Sequence, residues 1–137
     1  MTRAVAARFA LLPGSRAGVG RVGMRNVVAD RPEGLAGGQG LGFNGAELLA
    51  AALGGCIWND LHYAAEAGGS VLGDISVEAE EILAGTPPSV RRAAIHARVG
   101  ATDLARARDC FEAACGASTI ANSVMAAFPV AFVLEES

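Results

Sequence analysis

The chain has 137 residues, 52% hydrophobic and 18% charged, a balance that excludes a disordered chain and a length that suits one domain around one apolar core. The net charge is −3, but the five charged residues ahead of Asp30 are all Arg, at 3, 8, 16, 21 and 25, while the remainder sets six Arg against fourteen acids. Trp58, Tyr63 and five Phe are scattered rather than interleaved with a basic stripe, which argues against a nucleic-acid partner.

Taken in order, residues 4 to 29 are short apolar pieces broken by Gly14, Gly18, Gly20 and Gly23, and predict two or three strands joined by tight turns. Asp30 to Phe43 carries Pro32 and a run of glycines with no apolar period, so a loop is expected there, placed to wall a site. Asn44 followed by Glu47 has the form of a capping box, and the run Leu48 to Leu53 continues it as a helix reaching about Ala67. Leu49, Leu53 and Cys56 share a face, yet nearly every position up to Ile57 is apolar, which predicts a central, buried helix. Gly54 and Gly55 each cost about 1 kcal/mol relative to Ala inside a helix, so a close approach is expected just before Cys56.

Beyond Gly69, Ile75 to Glu80 and Ala93 to Val99 alternate with period two around Gly85-Thr86-Pro87-Pro88, the pattern of an antiparallel hairpin with one wet face. Thr102 or Asp103 can cap a second helix with a stripe at Leu104, Ala107, Phe111 and Ala114, and Gly116 is placed to end it. Ser118 or Thr119 starts a further turn or two, and Val130 to Leu134 reads as a last strand.

The apolar stretch Phe9 to Leu12 is shorter than a secretory core, and Leu48 to Trp58 is far short of the roughly 20 residues that span a bilayer. The expectation is a cytoplasmic protein without a membrane anchor. In that compartment a paired thiol is chemistry rather than scaffold, so the three Cys are the residues to weigh. Cys110 and Cys115 are about 500° apart around a helix and cannot pair while it persists, so Cys110 reads as structural. His62 and His96 have no zinc-like spacing, and neither a metal nor another cofactor is expected. Trp58 and Tyr63 are expected to pack along the helix.

The segment Asn44-Gly45-Ala46-Glu47-Leu48-Leu49-Ala50-Ala51-Ala52-Leu53-Gly54-Gly55-Cys56, with Asp30-Arg31-Pro32 and Gly37-Gly38 ahead of it, resembles the first-cysteine motif of the OsmC/Ohr family. Ala114-Cys115-Gly116-Ala117-Ser118 resembles the family's second motif, and the order of elements follows the family over nearly the whole chain. The resemblance implies an α+β OsmC-like domain over residues 1–137, with curved antiparallel sheets around a long central helix, in an intertwined homodimer. It implies a peroxidatic Cys56 and a resolving Cys115, reduction of organic hydroperoxides, and a dithiol reductant, with a lipoyl-type dithiol among the candidates. A sulfenic acid formed on the first thiol is captured by the second before it overoxidises.

The family keeps its thiolate ionised with an Arg held by a Glu. Arg31, in the loop before the helix, is the favoured counterpart, and Arg16, in a Gly-flanked turn, is the alternative. The family's Glu stands ten residues before the first Cys, which is Ala46 here; Glu47 is one residue on and about 900° around the helix from Cys56, on the opposite face. Glu47 therefore has two readings, a site acid serving a neighbouring subunit or a helix-capping acid. Gly45 and Gly116 also stand where the family commonly has proline. The rival readings are a protein that keeps the fold for binding or stress association, and a redox sensor that oxidises once without turnover.

Overall fold

The first 48 residues carry three short strands, β1 (Arg8–Leu11), β2 (Gly18–Val22) and β3 (Arg25–Ala29), joined in an antiparallel meander in which β2 is central. The computed structural model describes residues 1–100 and 103–135. Val22 pairs with Arg25, so the β2–β3 turn is the two residues Gly23 and Met24, and Gly23 supplies the positive φ of 61° that such a turn requires. Phe9 pairs with Gly20, and a methyl on Gly20 would stand 2.5 Å from the Phe9 ring. The missing side chain is what lets the ring lie flat across the central strand.

From Asp30 to Phe43 the chain loops and returns, with Phe43 bridging to Ala29. The buried Asp30 carboxylate organises this segment, accepting hydrogen bonds from the backbone N–H groups of Arg31 (2.8 Å), Gln39 (3.1 Å) and Leu41 (3.0 Å). Those bonds, the Leu41 amide foremost, hold its carboxyl below the usual carboxylate range. A polar loop of many glycines is thus given one conformation by one acid.

Helix α1 (Gly45–Ala67) opens with the expected capping box: the Asn44 N–H donates to Glu47 Oε1 and the Glu47 N–H donates to Asn44 Oδ1, both at 2.9 Å. The chain divides into two compact units, Met1–Leu48 and Leu49–Ser137, so all but the first turn of α1 belongs to the second. There β4 (Ile75–Ala84) and β5 (Ser89–Val99) form the expected hairpin, and β6 (Val130–Leu134) joins its other side, making the order β4-β5-β6. β6 runs parallel to β5, a pairing reached through α2 (Leu104–Ala117) and α3 (Thr119–Val124).

The core of this unit is one cluster. Leu53, Ile57, Leu61 and Ala65 of α1 meet Ala93, Ile95, Ala97 and Val99 of β5, and Ala107, Cys110, Phe111 and Ala114 of α2. Alternation on β5 and the four-residue step on the helices aim these side chains inward.

Three expectations need correction. α1 is not buried all round: one stripe is covered within the chain, while Trp58 remains 43% exposed, packed along the helix against His62 with ring centroids 5.7 Å apart, and Tyr63 is 70% exposed and does not pack as expected. Alanines and glycines on several sides made the sequence look uniformly apolar, but small residues do not require burial as leucines do. Second, Gly116 does not end α2, which runs to Ala117. Ser118 both closes it and caps α3, its hydroxyl accepting from the Ala121 N–H at 3.1 Å, and Asn122 Nδ2 donates to the Gly116 carbonyl at 3.0 Å. Third, neither Gly54 nor Gly55 answers to a close approach. A methyl on Gly54 would meet Ala79 at an ordinary 3.6 Å, and one on Gly55 would meet nothing within 4 Å.

Asp103 caps α2, accepting from the Ala105 and Arg106 amides; Thr102, the other candidate, lies outside the described residues. Among the described residues no helix is long and apolar enough to cross a membrane.

Candidate functional site

The sequence candidates fall in both units: Arg16, Arg31 and Glu47 in the first, Cys56 and Cys115 in the second. The two arginines that competed for one role are neighbours. Arg31 Nη2 donates to the Arg16 carbonyl at 2.6 Å and pairs with Asp30 Oδ1 at 3.2 Å. The same Asp30 that orders the loop therefore also aims this guanidinium. Arg31 Nε is buried without a hydrogen-bond partner, and the Arg16 side chain runs so close to Gly37 that a methyl there would stand 2.6 Å from it. Arg16 and Arg31 line an open groove of about 550 Å³ with Phe9, Leu11, Phe43 and Asn44. Glu47 is exposed and its Oε1 is engaged in the capping box, which is its observed role.

The three thiols have different surroundings and are all free. Cys110 is buried in the apolar cluster, matching its structural reading. Cys56 and Cys115 are both half-buried, one on α1 and one near the end of α2. Burial pushes the Cys115 thiol up to about 11, with the Glu112 carboxylate adding to the effect. At neutral pH only on the order of one in ten thousand such thiols is ionised.

Cys56 has a neighbour that the sequence reading passed over. Its Sγ donates a hydrogen bond to Asp60 Oδ2 at 3.7 Å, one helical turn on. The signal was present in the spacing, since residues four apart on a helix touch. Cys56 and Asp60 sit on one flank of the buried stripe, with Leu49 and Tyr63 on the same side by helical spacing. A second groove, of about 530 Å³, lies on the other flank, between Ala51, Gly54 and Trp58 of α1 and Val77, Glu78 and Ala79 of β4. Trp58 is about 200° around the helix from Cys56, so the exposed indole does not wall the thiol. Among the described residues no three His, Cys, Asp or Glu side chains are grouped closely enough to hold a metal ion.

Comparison with known proteins accounts for the pattern. A family model described as OsmC-like protein matches residues 37–133, a stretch that holds both half-buried thiols. The fold is that of an OsmC-like protein from Mycoplasma pneumoniae, with TM-score 0.80, 12% identity and 99% of each chain covered. It is also that of an organic hydroperoxide resistance protein OsmC from Legionella pneumophila (TM-score 0.72, 21% identity, 98% of each chain). The organic hydroperoxide resistance protein OhrB of Bacillus subtilis gives TM-score 0.65, 21% identity and 98% of each chain. At these identities the likeness shows the fold alone. A comparison with curated proteins finds no match.

Proposed function

We propose that this chain, which belongs to the OsmC-like protein family, is a cytoplasmic thiol-dependent peroxidase that reduces organic hydroperoxides. The observation that carries the reading is the contrast among its thiols: the two in the segments that resemble the family's cysteine motifs are half-buried, and the third is sealed in the core. Similar structures that are organic hydroperoxide resistance proteins support the substrate class.

In the proposed cycle the Cys56 sulfur attacks the distal oxygen of the hydroperoxide, the O–O bond breaks, and the thiol proton ends on the departing alkoxide. Sulfur loses two electrons and becomes a sulfenic acid. Cys115 then attacks that sulfur, water leaves, and a Cys56–Cys115 disulfide forms. A dithiol of lipoyl type restores both thiols and is itself oxidised to a disulfide. Arg31 is the proposed thiolate partner, with Arg16 beside it as the alternative and Glu47, within the motif, as an acid serving the site of a neighbouring subunit. The apolar surroundings of α1 favour alkyl hydroperoxides over hydrogen peroxide.

We read the assembly as a homodimer. The first unit carries six Arg against three acids and the second five Arg against eleven acids, so two copies offer each other complementary charge. Phe9, Leu11 and Phe43 leave apolar surface on the first unit for a second copy to cover.

Consumption of cumene hydroperoxide with a dithiol tests the proposal. The parent chain should turn over and Cys56→Ser should not; equal rates in both discard the peroxidase. Intact mass after one equivalent of hydroperoxide should fall by two hydrogens, with the link mapped to Cys56 and Cys115. Because so little of Cys115 is ionised, disulfide formation should accelerate about tenfold per pH unit from 7 towards 10. A second reading, a redox sensor or binding protein with little turnover, is favoured by the burial that keeps the Cys115 thiol protonated and slow to resolve. It predicts stoichiometric oxidation that stops after one event.

A further inference from the structure

The carboxylate beside Cys56 is unexplained by the fold. Aspartate is a poor residue for a helix interior, and Asp60 sits in the fifth turn of α1, away from either cap. Among the described residues it enters no ion pair; those present join Arg31 to Asp30, and His96 and Arg98 to Glu135. Its observed contact is the Cys56 thiol at 3.7 Å.

That contact has a definite chemical sense. A thiol can donate to a carboxylate; a thiolate cannot, and at this separation the two anions repel. Glu78 of β4 lines the groove on the opposite flank of this stretch of helix, and Tyr63 lies on the Cys56 flank. Asp60 is the charged group that stands within hydrogen-bond distance of Sγ.

We infer that Asp60 sets the reactivity of Cys56: its carboxylate holds the thiol proton, and the sulfur becomes a strong nucleophile only when a cationic group is brought against the pair. The inference rests on Cys56 being the reacting thiol, and it adds a residue that governs when and towards what that thiol reacts. A cation placed there neutralises the carboxylate and stabilises the thiolate together. An anionic oxidant is turned away, and a neutral or cationic one is admitted. The arrangement makes Cys56 a guarded thiol rather than a constitutively ionised one.

The test uses the whole chain and reads labelling at Cys56 by peptide mass spectrometry, with three reagents: uncharged iodoacetamide, a cationic methanethiosulfonate and an anionic methanethiosulfonate. The parent should favour the cationic over the anionic reagent. Asp60→Asn should take iodoacetamide about tenfold faster at neutral pH and lose about tenfold of the cation preference. Unchanged or slower alkylation in Asp60→Asn, or an unchanged preference, overturns the inference. Asp60→Ser, measured beside it and checked by thermal melting, guards against a variant that fails to fold. A parent chain that favours the anionic reagent overturns the inference without any variant. Failure of Cys56→Ser to alter hydroperoxide consumption would remove the peroxidase and leave the labelling result standing. Unchanged labelling in an active peroxidase would remove only the role of Asp60.

Discussion

The two units hold their shape by different means. Leu49–Ser137 has a core of interlocking side chains from α1, β5, α2 and α3, whereas in Met1–Leu48 only Ala17, Gly20, Asp30 and Gly38 are buried. The second unit is ordered by removing apolar area from water, the first by backbone pairing and by hydrogen bonds to one acid. Positions that destabilise the second unit are thus apolar, and the position that destabilises the first is polar.

The sharpest break of that contrast is in the core. Leu53→Ala and Ile95→Ala should each cost about 2 to 5 kcal/mol in urea unfolding, since both side chains are wholly buried and leave cavities. Phe9→Ala, half exposed on β1, should cost less than about 1 kcal/mol in dilute solution. A cost at Phe9 that matches the core would erase the distinction.

Next in size is Asp30→Ala, which strands three backbone N–H groups and the Arg31 guanidinium; about 2 to 3 kcal/mol is expected, concentrated in the loop. Hydrogen exchange at the Gln39 and Leu41 amides should quicken while the Ile95 amide stays protected. Asp30 is held below its ordinary range, so its contribution is full above pH 4 and fades as pH falls through the lowered value. Acid should therefore loosen the loop of the parent in the same way.

A smaller effect of opposite sign is expected at Glu81. It continues the inward row Ile75, Val77, Ala79 of β4, both its carboxylate oxygens are buried without partners, and burial pushes its carboxyl up. An acid raised on folding opposes the fold as pH rises past its unfolded value. Glu81→Gln should thus stabilise by about 1 kcal/mol at pH 7, with the gain shrinking as pH falls through the raised value and gone below about pH 4, as read from melting temperatures.

The smallest effect belongs to Glu135, an exposed clip that pairs with Arg98 at 3.0 Å and His96 at 3.2 Å where the chain leaves β6. The Arg98 hydrogen bond leads in lowering its carboxyl. Glu135→Gln should lower stability slightly above pH 5 and not at all once the parent carboxyl is protonated. Amide exchange along β6 is the measurement.

Local rules carried much of the fold into the sequence. The Asn44 and Glu47 capping box, the alternation of Ile75 to Glu80 and Ala93 to Val99, the α2 stripe and the paired cysteine motifs all lie within a few residues of chain. Hydrogen bonds and side-chain periods at that range are written in neighbouring letters. Tertiary structure decided what depends on distant partners. It set β6 parallel to β5, wrapped a glycine-rich loop around Asp30, and left one side of α1 uncovered. It also placed Glu81 on an inward row, and it set the Asp60 carboxylate within hydrogen-bond distance of the Cys56 thiol. Burial and strand pairing are properties of the packed chain, because they follow from which surfaces meet, and no residue carries that information by itself.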